Sequence, residues 1–210
     1  VSRRLKRKSE AKYHHGDLRP ALVEAALRAI ERQGLGELSL RALARSLGVS
    51  PRAPYRHFAT KEELLAAVAV EGFRMSAAFT EERIRDTKDP LARLKGAVEA
   101  YVLFATAHPA AFRVMYAPYA TVEENAPELL RARTDGHAGM MGLIEAAQAK
   151  GALREGDPMQ LALALWSAMH GLAVLLVEGQ LGRYDRPVEA AKLASLTARL
   201  VFEGLMRRGK

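Results

Sequence analysis

The feature that most constrains this chain is its punctuation. Apolar residues recur at helical spacing in one stretch after another, and each stretch is bounded by residues that start or stop helices. Leu18, Leu22, Ala25, Ala26, Ala29 and Ile30 define a first helix that stops at Gly34, and Ser39 is placed to cap a second, carrying Leu40, Leu43, Ala44 and Leu47 and ending at Gly48. Ser50-Pro51 predicts a third, short helix to about His57, and Thr60-Lys-Glu-Glu63 spells a capping box that opens a fourth, running past Phe73 toward Ile84. Asp89-Pro90, Pro127-Glu128, Asp157-Pro158 and Pro187 open further helices, with a short one around Phe112 to Tyr116. No segment alternates with period two between hairpin turns, so the chain reads as all-α.

Charge divides this helical string unevenly. Residues 1–61 hold 14 Lys and Arg against 5 Asp and Glu, a net of +9, whereas the other 149 residues hold 18 against 19, a net of −1. A basic end on a neutral body is the electrostatic footprint of a nucleic-acid-binding head, because neutralising phosphates releases counterions. A solvated basic tail would produce the same count. Residues 1–16, ending in Tyr13-His-His-Gly16, read as a flexible basic arm, and Val1 to Lys8 lacks the apolar stretch of a secretory signal.

Several classes of chemistry fall away. Without cysteine there is no disulfide, thiolate nucleophile or Cys-based zinc site, which fits a reducing, cytoplasmic setting. Gly-x-Ser-x-Gly, Walker, Gly-x-Gly-x-x-Gly and His-Glu-x-x-His motifs are all missing, so the expectation is no enzyme, no cofactor and no metal. Leu161 to Val177 lacks Asp, Glu, Lys and Arg, but its 17 residues include Ser167, His170 and Gly171, and it reads as a buried helix rather than a membrane span.

Two helices joined through Gly48, the second opened by Ser50-Pro51, form a helix-turn-helix. The segment from Leu38 to Leu65, with Gly48-Val-Ser50, Tyr55-Arg-His-Phe58 and Lys61-Glu-Glu-Leu64, resembles the DNA-binding domain of the TetR family of transcriptional regulators. The resemblance covers about residues 17–75 and implies an N-terminal three-helix head followed by a larger C-terminal antiparallel helical bundle. It implies phosphate contacts from Tyr55, His57 and Lys61, base-edge or phosphate contacts from Ser50, Arg52 and Ala53, and accessory phosphate contacts from Arg41 and Arg56. Of these, Arg52 has the geometry for a bidentate bond to guanine. Pro54 lies four residues after the cap and lacks an amide proton, so the recognition helix is expected to start late.

The body carries Trp166-Ser-Ala-Met-His-Gly171, which resembles the Trp-x-x-x-His-Gly element of one class of TetR regulatory domain. Trp166, Met169 and His170 share a helix face, in a ligand pocket, a dimer-packing element or an ordinary packed core. Phe104, Met115, Tyr116 and Met141 are expected to converge with them, and His137 and His170 to serve as polar anchors for a mostly apolar or aromatic effector. The resulting expectation is a homodimeric repressor with a head at 17–62 and a ligand-binding and dimerisation body at 63–210, released from double-stranded operator DNA by a small molecule. A ligand-independent helical adaptor, using a degenerate helix-turn-helix for protein contacts, is the competing reading.

Overall fold

The structure, a computed structural model, describes residues 18–117, 126–183 and 189–205; the basic arm expected at 1–16 and the helix start expected at Pro187 lie outside them. No strand occurs among the described residues. The helices are α1 (Leu18–Gln33), α2 (Leu40–Ser46), α3 (Lys61–Ile84), α4 (Pro90–Ala107), α5 (Pro109–Met115), α6 (Pro127–Ala149), α7 (Pro158–Val177) and α8 (Ala190–Leu205), with 3₁₀ turns at Pro54–Arg56 and Gln180–Arg183.

Local chemistry explains the boundaries. Side chains of Ser39, Thr60, Asp89 and Asp157 accept hydrogen bonds from the first-turn amides of α2, α3, α4 and α7, satisfying donors that have no partner within the helix. At Thr60 the box is shifted by one residue: Glu63 N–H donates to Thr60 Oγ1 at 3.2 Å, while the Glu63 carboxylate accepts from Ala59 N–H at 2.7 Å. The end of α2 is a Schellman motif, with Val49 N–H on Ala44 O at 3.0 Å and Gly48 N–H on Arg45 O at 3.2 Å. Gly48 has φ +68°, the left-handed value that this closure demands and that glycine adopts without steric cost.

The third element departs from expectation. In place of a helix over 51–57, residues 50–58 close mainly through i→i+3 bonds: Ala53 N–H to Ser50 O, Arg56 N–H to Ala53 O and His57 N–H to Pro54 O. Pro54, itself buried, has no N–H to give the Ser50 carbonyl, so the first α-type bond cannot form and the segment settles as a 3₁₀ turn.

Two packed cores organise the chain. One joins α1, α2 and α3 around Leu22, Leu43, Phe58, Leu64 and Val68, and it also takes in Ala110 and Val114 of α5 and Leu129 of α6. The other lies between α4, α6, α7 and α8, around Leu94, Val98, Ile144, Leu165 and Phe202. A smaller cluster of Phe104, Ala111 and Met115 fills the seam between them. Gly72 is the tightest point of that seam: a Cβ there would stand 2.7 Å from Met115 Cγ. The missing side chain is what lets α3 approach the end of α5.

Candidate DNA interface and effector cavity

The turn after α2 offers a polar surface held on an apolar footing. Phe58, only 2% exposed, and Pro54 anchor the segment, while Arg52, Tyr55, Arg56 and His57 stay exposed. The Arg19 guanidinium lies over the Phe58 ring at 5.2 Å, tying the anchor to α1. Arg41 is exposed on the first turn of α2, Ser50 is exposed at the turn, and Ala53 is partly covered. Within residues 18–61 there are 8 Lys and Arg against 3 Asp and Glu, a net of +5, so the positive excess survives without the arm. Lys61 Nζ donates to the carbonyls of Leu35 and Gly36 at 3.1 and 3.4 Å, so it also braces the α1–α2 loop against the start of α3.

A cavity of about 360 Å³ opens between α6 and α7 in the body. Four of the residues expected to gather there do line it: Tyr116, His137, Met141 and Trp166. Phe104, Met115 and Met169 do not; they are 1%, 1% and 2% exposed and belong to the packed clusters, where the same apolar bulk fills space between helices. His170 stands behind the wall, its Nδ1 2.7 Å from the Tyr101 hydroxyl and its ring 4.7 Å from that of Tyr116 and 5.0 Å from Trp166. Sequence reasoning did not single out Phe73, Tyr101, Arg133, Met140, Met159 and Leu163, which complete much of the lining. Arg133, His137, Met140 and Met141 fall three and four apart on α6, a face that could have been picked out by following the line from His137.

Burial dominates the electrostatics of Tyr101, Tyr116 and His170. It pushes the Tyr101 hydroxyl far above its ordinary range, with Tyr116 adding to the shift and Trp166 opposing it, and raises Tyr116 as well, against the pull of Tyr101, Trp166 and the Arg133 charge. Burial also lowers His170. The three groups are therefore neutral near pH 7, and Tyr101 and His170 share a hydrogen bond without separating charge.

Comparison with known proteins settles the family. Residues 22–68 match the bacterial regulatory proteins of the tetR family, and residues 94–200 match the tetracyclin repressor-like C-terminal domain. The chain belongs to the TetR family. As a TetR-family protein it is a DNA-binding transcriptional regulator with an N-terminal helix-turn-helix and a C-terminal helical domain. A solved structure from Rhodococcus sp. RHA1 is 32% identical with a TM-score of 0.79, covering 94% of this chain and 100% of that one. The HTH-type transcriptional regulator Rv0681 of Mycobacterium tuberculosis is 26% identical over 171 residues, 80% of this chain and 73% of the relative. The HTH-type regulator BetI of Rhizobium meliloti is 47% identical over 49 residues, only 24% of its own length and 23% of this chain.

Proposed function

We propose that this TetR-family regulator is a cytoplasmic repressor that leaves a palindromic operator when a mostly apolar or aromatic small molecule enters the α6–α7 cavity. The observation that carries the reading is that α6 is at once a wall of the cavity and a plug in the head core. Leu129, 1% exposed among head residues, and the lining residues Arg133, His137 and Met140 follow one another at spacings of four, four and three, on one helix face. Glu128 beside it pairs with Arg19 of α1 at 3.6 Å. A guanidinium N–H of Arg133 donates to the Met115 carbonyl at 3.3 Å, and Met115 packs where Gly72 brings α3 close. Occupancy that displaces α6 therefore disturbs both the plug and the seam under α3, the helix that passes without interruption from head (17–62) to body (63–210).

In this reading Arg52 reads a base edge, with Ser50 and Ala53 beside it. Tyr55, His57 and Lys61 hold phosphates, with Arg41 and Arg56 as accessory contacts. A second copy of the chain supplies the matching half-site about 34–36 Å away. Helix α7 supports this assembly: it carries no charge, yet Gln160, Ala164, Ser167 and Gly171 are exposed on its outer side, near in composition to a buried helix. Leu196 and Leu200 of α8 are 39% and 57% exposed.

The test is to screen apolar metabolites by quenching of Trp166, the single tryptophan, and to measure operator affinity with each ligand found. A hundredfold weakening requires the ligand to prefer the DNA-free conformation by about 2.7 kcal/mol. Ligands that quench Trp166 and leave operator affinity unchanged refute the switch.

A further inference from the structure

A second cavity, of about 620 Å³, lies where the head meets the body, between the turn that carries His57 and Phe58, helix α3 and the start of α6. Its deeper side is apolar and built of short side chains: Ala66, Ala67 and Val70 of α3, buried or half-buried, with Leu129 of α6. A ligand body of modest size has room there. The outer side is acidic. Glu62, Glu63 and Glu128 line it at exposed positions, against the Arg19 guanidinium and the His57 imidazole. Arg19 is already committed to Glu128 at 3.6 Å and to the Phe58 ring at 5.2 Å, and Glu63 spends a carboxylate oxygen on Ala59 N–H at 2.7 Å. Lys61, next in sequence to Glu62, turns its Nζ to the carbonyls of Leu35 and Gly36. Glu62 has neither a hydrogen bond nor an ion pair among the described residues. The cavity is thus a negative notch in a head whose residues 18–61 carry a net +5.

We propose that this notch binds an organic ammonium with an apolar body, the body resting on Ala66, Ala67 and Leu129 and the ammonium held between Glu62 of α3 and Glu128 of α6. The site is separate from the α6–α7 cavity and stands whether or not an effector enters there. A carboxylate has about four lone-pair sites, so Glu128 can accept from the ammonium while Arg19 keeps its place. The Arg19–Glu128 pair, with side chains 50% and 66% exposed, is by itself a weak tie between head and body. An ammonium adds a second tie, from α6 to α3, beside the Leu129 plug in the head core. It also cancels negative charge next to His57, a proposed phosphate contact. Bridging and charge act in the same direction, so the bound amine tightens operator binding and makes this the site of a corepressor. By reciprocity, operator DNA tightens the amine by the same factor.

Three probes with one body and different ends test this on the full chain by calorimetry at fixed salt: 4-phenylbutylamine, 4-phenylbutanol and 4-phenylbutyrate. The amine is expected to bind at least tenfold tighter than the alcohol, and the carboxylate no tighter than the alcohol. Glu62→Gln, at an exposed position, should shrink the amine's advantage to within threefold and leave alcohol affinity in place. Ala66→Leu, which fills the deeper side, should weaken amine and alcohol alike by at least tenfold, with circular dichroism checking that the variant is folded. Saturating amine should tighten operator binding at least threefold in the wild type and lose that effect in Glu62→Gln. Trp166 lines the other cavity, so its fluorescence should stay constant as the amine binds. Quenching of Trp166 in step with binding puts the probe in the α6–α7 cavity and overturns the assignment. Equal affinities for amine and alcohol, no binding by any probe, or an amine affinity untouched by both substitutions overturn it as well. The expected ranking with operator binding unchanged or weakened overturns the bridge between α3 and α6.

Discussion

Replacing Gly72 by Ala probes the seam between head and body with a single methyl group. In a helix interior this exchange alone favours folding by about 1 kcal/mol, because alanine loses less backbone entropy. Here the new Cβ would meet Met115 Cγ at 2.7 Å and Sδ at 2.9 Å, with the Ala111 carbonyl oxygen at 3.5 Å. Met115 is 1% exposed, so its chain has no solvent to swing into, and its own carbonyl is held by Arg133. Overpacking of this kind costs about 1–3 kcal/mol, which outweighs the propensity gain and leaves a net loss of about 1 kcal/mol. Urea unfolding at fixed protein concentration should show that loss. In a Met115→Ala background, itself destabilised by roughly 2–5 kcal/mol, the steric conflict is gone and Gly72→Ala should stabilise by about 1 kcal/mol. A sign that does not change between the two backgrounds refutes the close approach of α3 and α5 as the reason for the glycine.

Operator binding should weaken steeply with salt; Tyr55→Ala should weaken it on every sequence alike, whereas Arg52→Ala should relax preference at one base pair per half-site, each read by competition binding. Leu200→Glu, at the most exposed large apolar side chain of α8 among the described residues, should shift sedimentation from dimer to monomer at micromolar concentration, and unchanged sedimentation would remove α8 from the interface. His170 has a folded pKa below its ordinary value of 6.5, so the unfolded chain takes up the proton first as pH falls. Stability contributed by the neutral ring is thus complete above about pH 6.5 and declines as pH drops below it. His170→Gln should flatten that part of the pH dependence of the unfolding midpoint.

The helix starts were legible because their causes are local: Ser39, Thr60, Asp89 and Asp157 cap through side chains two or three residues from the amides they satisfy. Pro54 was legible as a disturbance, since a missing N–H follows from residue type, but its outcome as a 3₁₀ turn depended on where Phe58 and Pro54 bury. The cavity was only half legible. Periodicity tells which face of a helix turns inward, and Met169 and Trp166 both turn inward on α7; only the position of α6 decides that one meets packed side chains and the other an opening. Arg133 and Tyr101 were missed for a related reason. A polar group on an inward face has no partner visible in sequence until the opposing helix is in place.

In the proposed switch, a cavity wall and a head plug that ride on the same helix separate potency from efficacy. A molecule that fills the space without displacing α6 gains the full burial of its apolar surface in both the DNA-bound and DNA-free forms, and equal affinity for two states shifts neither, however tight it is. Such a compound would occupy the regulator silently and exclude the true inducer. Molecules differing by one substituent facing α6 can therefore fall on opposite sides, one an inducer and the other its competitive antagonist, with nearly the same dissociation constant. In a sensor built on the proposed switch, α6-facing substituents would govern response, and the rings and thioethers around them would govern only occupancy.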